Sequence, residues 1–243
     1  SEAFAEYSGA LLAQHVVEDE ETFVEILEGW RNDLLEKGHI GVSLGLRRFG
    51  FSKTDLVQSQ GLEAGPIWLG LRLGSKFPVD YYVVTYEKGA YVLHMLRLLL
   101  HDFDTDSDER FWTMMADFVA AYRGQRATTN DFKRIVEKHV GEPMEWFFDQ
   151  WIFDVEVPAY FYSYTISNSG DEYWLDLSVR QEEVAPDFKM FIPIGIQLQE
   201  KKLTELIWMQ GREQPFRLGP FPEKPSKIIF NDFDCVLARV KQR

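Results

Sequence analysis

A single cysteine, Cys235, leaves this 243-residue chain without an intrachain disulfide and excludes a cysteine-rich metal site. It stands in the apolar run Cys235-Val236-Leu237-Ala238 and reads as a buried small hydrophobe. Cysteine poverty does not assign a compartment. No apolar run reaches the roughly 20 residues that a membrane-spanning helix needs. The longest, Gly89 to Leu100, is interrupted by His94 and Arg97. Basic residues are scarce, 26 Lys and Arg against 39 Asp and Glu, and they are scattered; the net charge is −13. That balance argues against nucleic acid and anionic membrane as partners, since both need clustered cations. Nothing at the N-terminus has the form of a signal peptide. The opening Ser1-Glu2-Ala3-Phe4-Ala5-Glu6-Tyr7 reads as the interior of an element, as in a fragment.

Bulky core formers are abundant, with 45% hydrophobic and 15% aromatic residues. Helical spacing dominates the first two thirds. Phe4, Tyr7, Leu11 and His15 share one face. Phe23, Ile26, Leu27, Trp30 and Leu34 share another within a helix expected over Asp19 to Lys37, with Gly38 as its cap. A short helix is expected over Ser52 to Gln60, followed by the loop chemistry of 61–66. Val84 to Leu100 is apolar nearly all round and must be surrounded by other elements. Asp106 or Ser107 is expected to cap the helix that runs to Arg123. Thr128-Thr129-Asn130-Asp131 starts another that ends at Gly141, and Pro143 opens a last one carrying Trp146, Phe147, Gln150 and Trp151.

The period changes from 3.6 to 2 near Pro158. Tyr160 to Ser167, Tyr173 to Arg180 and Ile192 to Gln199 alternate strictly, and four shorter strands follow within 203–240. Pro193 is expected at a sheet edge or a bulge. The fold class predicted is α plus β in two domains: helical over residues 1–157, then an antiparallel, immunoglobulin-like β-sandwich over 158–243.

Five segments, in order, resemble the gluzincin zinc aminopeptidases of the aminopeptidase N type. They are Ser1-Glu2-Ala3-Phe4-Ala5-Glu6-Tyr7, Gly65-Pro66-Ile67-Trp68-Leu69-Gly70, Tyr86-Glu87-Lys88-Gly89, Thr128-Thr129-Asn130-Asp131-Phe132 and Trp146-Phe147-Phe148-Asp149-Gln150-Trp151. The ordered set carries the likeness; no single motif does. The resemblance implies that Glu2 is a zinc ligand and that Tyr86 donates to the developing oxyanion. It implies a parent enzyme that removes N-terminal residues from peptides through metal-activated water. Ala3 stands where the family has glycine. None of the five histidines, His15, His39, His94, His101 and His139, begins an HExxH. The two histidine ligands and the glutamate base are therefore expected before Ser1. Zn2+ is expected in the parent and not in this piece, which is expected to be inactive alone and to self-associate through the cleft face it bares.

Taken singly, these residues have plainer readings. Glu2 alone is a solvated helix glutamate, with Glu6 as a surface neighbour one turn on. Tyr86 alone is a core aromatic, Lys88 a structural pair-mate and His94 a satisfied core histidine. Trp68, Trp112, Trp146 and Trp151 read as packing residues. Tyr81 and Tyr82 are candidates to line the cleft, without a signal strong enough to select them as site residues. A second functional class also fits the pattern: a non-catalytic scaffold or interaction protein with aminopeptidase-like architecture.

Overall fold

The computed structural model describes residues 2–35, 60–76, 78–170 and 172–243. The Gly38 cap and nearly all of the helix expected over 52–60 lie outside the described residues. Helices α1 (Glu2–His15) and α2 (Glu20–Leu35) come first, and Asp19 caps α2 by accepting the Thr22 N–H at 2.9 Å. Two 3₁₀ turns, Gly61–Ala64 and Ile67–Ser75, lead to the central helix α3. It opens as an α-helix over Pro78–Tyr81, widens to π geometry over Tyr82–Lys88 and returns to α over Gly89–Leu100. The helix thus begins before the expected Val84, because the π turn breaks the 3.6 spacing that would have revealed its first part. From Gly89 on every residue except Leu99 is buried.

Helix α4 (Glu109–Tyr122) starts after Asp108, not after Asp106 or Ser107. Paired backbone bonds between Asp102 and Ser107, at 2.9 and 3.1 Å, use residues 102–107 as a closed turn. Helix α5 (Thr129–Val140) has the expected start: Thr128 accepts from the Asp131 N–H while Asp131 accepts from that of Thr128, a reciprocal capping box. It ends on Gly141 at φ 88°, a left-handed position that glycine fills without strain. Helix α6 (Glu145–Phe148) runs into a π turn over Asp149–Phe153.

Strands begin at Ala159. They are β1 (Ala159–Ser169), β2 (Glu172–Glu182), β3 (Lys189–Gln197), β4 (Lys202–Gln210), β5 (Glu213–Phe221), β6 (Lys227–Phe230) and β7 (Arg239–Gln242). Among the described residues they form a four-stranded sheet in the order β5-β2-β1-β7 and a three-stranded sheet in the order β4-β3-β6. The expectation of a wholly antiparallel arrangement needs correction, because β7 lies parallel to β1, Ala159 opposite Arg239. Strand β3 is the middle strand of its sheet, not an edge. Pro193 pairs with Leu206 on one side and sits just before the stretch Ile194–Gln197 that β6 reaches on the other, so no ladder bond from its nitrogen is needed there.

The alternation in β3 suggests one wet face, yet Met190 to Ile196 are all buried. The second face is covered in two places: near Lys189 by Trp146 of α6, which meets Trp208 at 5.8 Å beside Phe191 and lies under Lys189, and at Gly195 by Asp232, whose carboxylate fills the space a β-carbon would take. Of the tryptophans read as packing residues, Trp151 is fully buried, but Trp68 and Trp112 are 54% and 42% exposed. One continuous hydrophobic cluster joins the helices to both sheets.

Gln150 acts there as a substitute strand. Its amide donates to the Lys189 carbonyl at 2.9 Å and accepts the Lys189 N–H at 3.0 Å. Gln150→Ala leaves both backbone groups unpaired and is expected to cost about 1–3 kcal/mol. Gln150→Glu, which keeps only the acceptor, is expected to recover part of that loss in urea unfolding.

A second junction is strained. Asn231, Phe233 and Asp234 all have left-handed backbone, at φ 58°, 62° and 47°. They are held by the Asn231 side chain, which bonds both backbone groups of Val236, and by three residues of the helical part. Tyr91 donates to the Asp234 carbonyl at 2.5 Å, the His94 ring bonds the Phe233 carbonyl at 3.0 Å, and Arg31 pairs with the Asp234 carboxylate. No helix among the described residues is long and apolar enough to cross a membrane.

Candidate functional site

Helices α1 and α3 meet at a point where bulk is not tolerated. A β-carbon at Gly89 would lie 2.6 Å from the Ala3 Cβ, well inside contact distance. The glycine of Tyr86-Glu87-Lys88-Gly89 therefore permits the close approach of the two helices, and Ala3 is the residue it accommodates. That approach brings Glu2, one residue before Ala3, to the tyrosines of the π turn.

The Tyr81 hydroxyl donates to the Glu2 carboxylate. Burial, then that carboxylate, push the Tyr81 phenol up to about 12. Tyr81 meets Tyr86 edge to face at 5.8 Å, and Tyr82 stacks on Tyr86 at 4.7 Å. Glu2 and Tyr86, the two residues singled out from sequence, are thus linked through Tyr81. In an α-helix residues five apart point in different directions; a π turn, with its i→i+5 bonding, brings them towards one face. This is why Tyr81 escapes a reading based on 3.6 spacing.

Behind this cluster lies a second layer of acids. Glu6 is half-buried: Tyr82 donates to it at 3.5 Å and the Trp30 side chain also bonds it, so it is not the solvated neighbour that sequence suggests. Glu87 and Asp33 are 1% and 5% exposed. Neither was singled out from sequence. A signal existed for Glu87, since Val83, Val84, Ala90 and Tyr91, its neighbours at three and four, are all apolar. Lys88 is fully buried and donates to the Asp154 carbonyl at 2.9 Å, tying α3 to the segment that leads into β1. Burial lowers its ammonium to about 8. His94 is buried with both ring nitrogens engaged, Nδ1 by the Tyr7 hydroxyl at 3.2 Å and Nε2 by Phe233; burial lowers it to about 4 and keeps it neutral.

On its other side Glu2 borders a cavity of about 740 Å³ between α1, α3, α4, α5 and α6. Its wall is largely apolar, with Leu93, Phe118 and Phe132, and Tyr86 is not part of it.

Among the described residues no group of three or more His, Cys, Asp or Glu is placed to hold a metal ion. A hydrolytic zinc takes three protein ligands. Glu2 offers one carboxylate, so the described residues do not complete such a site. What they assemble is a carboxylate, a neutral phenol bonded to it, and a second phenol in contact with two aromatic rings. A neutral phenol is a hydrogen-bond donor at pH 7.

No family model matches the chain, and no curated protein matches it. A likeness to a solved structure is found instead: aminopeptidase A of Legionella pneumophila, determined in complex with aspartic acid, superposes with a TM-score of 0.53 at 17% sequence identity. The match covers 88% of this chain and 24% of that one, so the chain spans about a quarter of the length of the structure it resembles. The fold of this chain is similar to that of part of the Legionella structure.

Proposed function

We propose that this chain is part of a zinc aminopeptidase, contributing one metal ligand and one oxyanion donor to an active site completed by other parts of a parent enzyme. In this reading residues 1–157 belong to the catalytic domain and 158–243 form an immunoglobulin-like β domain. Glu2 is the carboxylate ligand. Tyr86 donates its phenolic proton to the oxygen that becomes negative as the peptide carbonyl is attacked. Tyr81 orients the Glu2 carboxylate, and the stacked Tyr82 fixes the Tyr86 ring. Zinc, held in the parent by Glu2 and two further ligands, would polarise the carbonyl and acidify the attacking water.

The observation that carries the proposal is the gathering of Glu2, Tyr81 and Tyr86 at the Ala3–Gly89 contact, within a chain that superposes on part of an aminopeptidase.

The test is made in the parent. Tyr86→Phe is expected to lower kcat by roughly 10²–10³ with zinc content unchanged. Glu2→Gln is expected to lose the metal. The 243-residue chain alone should bind no stoichiometric zinc and turn over no aminoacyl reporter, because affinity needs several preorganised donors. Wild-type kcat in Tyr86→Phe would overturn the reading. So would a parent without an HExxH, which would instead fit a scaffold.

A further inference from the structure

Asp33 on α2 and Glu87 on the π turn of α3 are carboxyl groups in a place that suits neither charge. Both are more than nine-tenths buried, and their side chains hydrogen-bond each other. Two carboxylates cannot do this, because each offers only acceptors; one of the two must carry a proton to donate. One oxygen of each, Asp33 Oδ2 and Glu87 Oε2, is buried without a donor among the described residues. No described Lys, Arg or His is paired with either acid. Lys88, next in sequence to Glu87, is bonded to the Asp154 carbonyl instead.

The position of the pair gives it a use. Glu87 directly follows Tyr86, inside the one stretch of α3 that leaves α geometry. A π turn is less stable than the α-helix around it and persists where tertiary contacts hold it. Tyr81 and Tyr82 contact the Tyr86 ring and tie this stretch to α1, through Glu2 and Glu6, but neither reaches α2. The Asp33–Glu87 bond supplies the tie to α2.

We propose that Asp33 and Glu87 share a single proton, and that this acid–carboxylate bond clamps the π turn to α2 and so positions the Tyr86 phenol. Its relevance to catalysis rests on the aminopeptidase reading; the clamp itself does not. Asp33 and Glu87 are positioning residues that touch no substrate. The groups facing the pair are Glu6 from α1 and Tyr82 from the π turn itself, with Tyr86 adjoining. Burial and the Asp33 and Glu6 charges keep Glu87 protonated well above the usual glutamate range, and burial raises Asp33 to about 6.

The test uses the full 243-residue chain, labelled with ¹³C at the tyrosine Cζ and at the side-chain carboxyl carbons of Asp and Glu, and titrated by NMR. Glu87 and Tyr86 signals are assigned by their loss in Glu87→Gln and Tyr86→Phe. The Glu87 carboxyl should stay protonated far above the ordinary value of about 4.3. The Tyr86 signal should shift in step with the pair as its proton is lost. Asp33→Asn should move the Glu87 titration downward, since it removes a like charge and supplies an amide donor. Glu87→Gln, whose amide donates as the acid did, should keep the low-pH Tyr86 shift at every pH and abolish its titration. A Tyr86 signal that is flat while Glu87 titrates would overturn the clamp. An ordinary Glu87 titration, or one unmoved by Asp33→Asn, would overturn the shared proton. None of these readouts needs zinc or turnover. If Tyr86→Phe left a parent enzyme fully active, the peptidase reading would fail while the clamp stood, and a flat Tyr86 signal would do the reverse.

Discussion

Asp108→Ala is expected to destabilise the chain by about 3–5 kcal/mol, because it strands a buried guanidinium. Arg97 is 6% exposed and donates to Asp108 through Nε at 2.8 Å and through a terminal nitrogen at 2.6 Å. His101 Nδ1 bonds the other carboxylate oxygen at 2.9 Å. Burial by itself would raise the Asp108 carboxyl, but hydrogen bonds from His101 and Arg97 outweigh it and hold the group at about 2. Without the carboxylate, Arg97 keeps the Gln14 side chain at 2.7 Å and no anion. Removing both charges should be milder: Arg97→Met with Asp108→Ala should be more stable than Asp108→Ala alone, as paired apolar replacements often are. The sign of the pH dependence follows from the depressed carboxyl. Its contribution is complete above the unfolded value of about 3.9 and is lost as the pH falls towards about 2. Urea midpoints measured down this acid limb should fall steeply in the wild type and much less in Asp108→Asn. Equal slopes would show that the ion pair does not set acid stability.

Gly89→Val is expected to cost about 3 kcal/mol, near the upper end for overpacking a filled interior. The new side chain begins 2.6 Å from the Ala3 Cβ, and both atoms belong to helix stems that cannot rotate away. The substitution should also displace Glu2 from Tyr81, since relief requires α1 to move off α3. A decisive form of the test exchanges the methyl groups. Gly89→Ala alone should destabilise through the same clash, offset in part by the roughly 1 kcal/mol by which alanine favours a helix. Ala3→Gly combined with Gly89→Ala removes one of the two colliding atoms and should recover most of the loss. Additive effects of the two substitutions, measured by urea unfolding, would mean that the helices do not meet there.

The candidate site was partly legible before any coordinates. Glu2 and Tyr86 were marked by the ordered set of short segments, and Gly89 was part of one of them. Tyr81 was a cleft candidate with no role attached, because its convergence with Tyr86 depends on π geometry that interrupts the helical period. Asp33 was not marked either. It follows Trp30 by three on α2, at the margin of the apolar face, where an acid is usually wet. Its burial depends on α3 lying across that margin. Glu6 turned out half-buried for the same kind of reason, with Trp30 and Tyr82 closing over it.

The division between the two sources of order is physical. Local preferences are written in neighbouring residues, and the sequence by itself determined what they control. That covers the helical first part and stranded last part, the Thr128–Asp131 capping box, the Gly141 stop, and the alternation in β1 and β2. Only the tertiary structure decided what depends on partners distant in the chain. It buried both faces of β3, one of them beneath Trp146 and Asp232, set β7 parallel to β1, and stranded two carboxyl groups between α2 and α3. Periodicity reports which face of an element is apolar. It does not report which element will cover the other face, because that choice is made by packing across the whole chain.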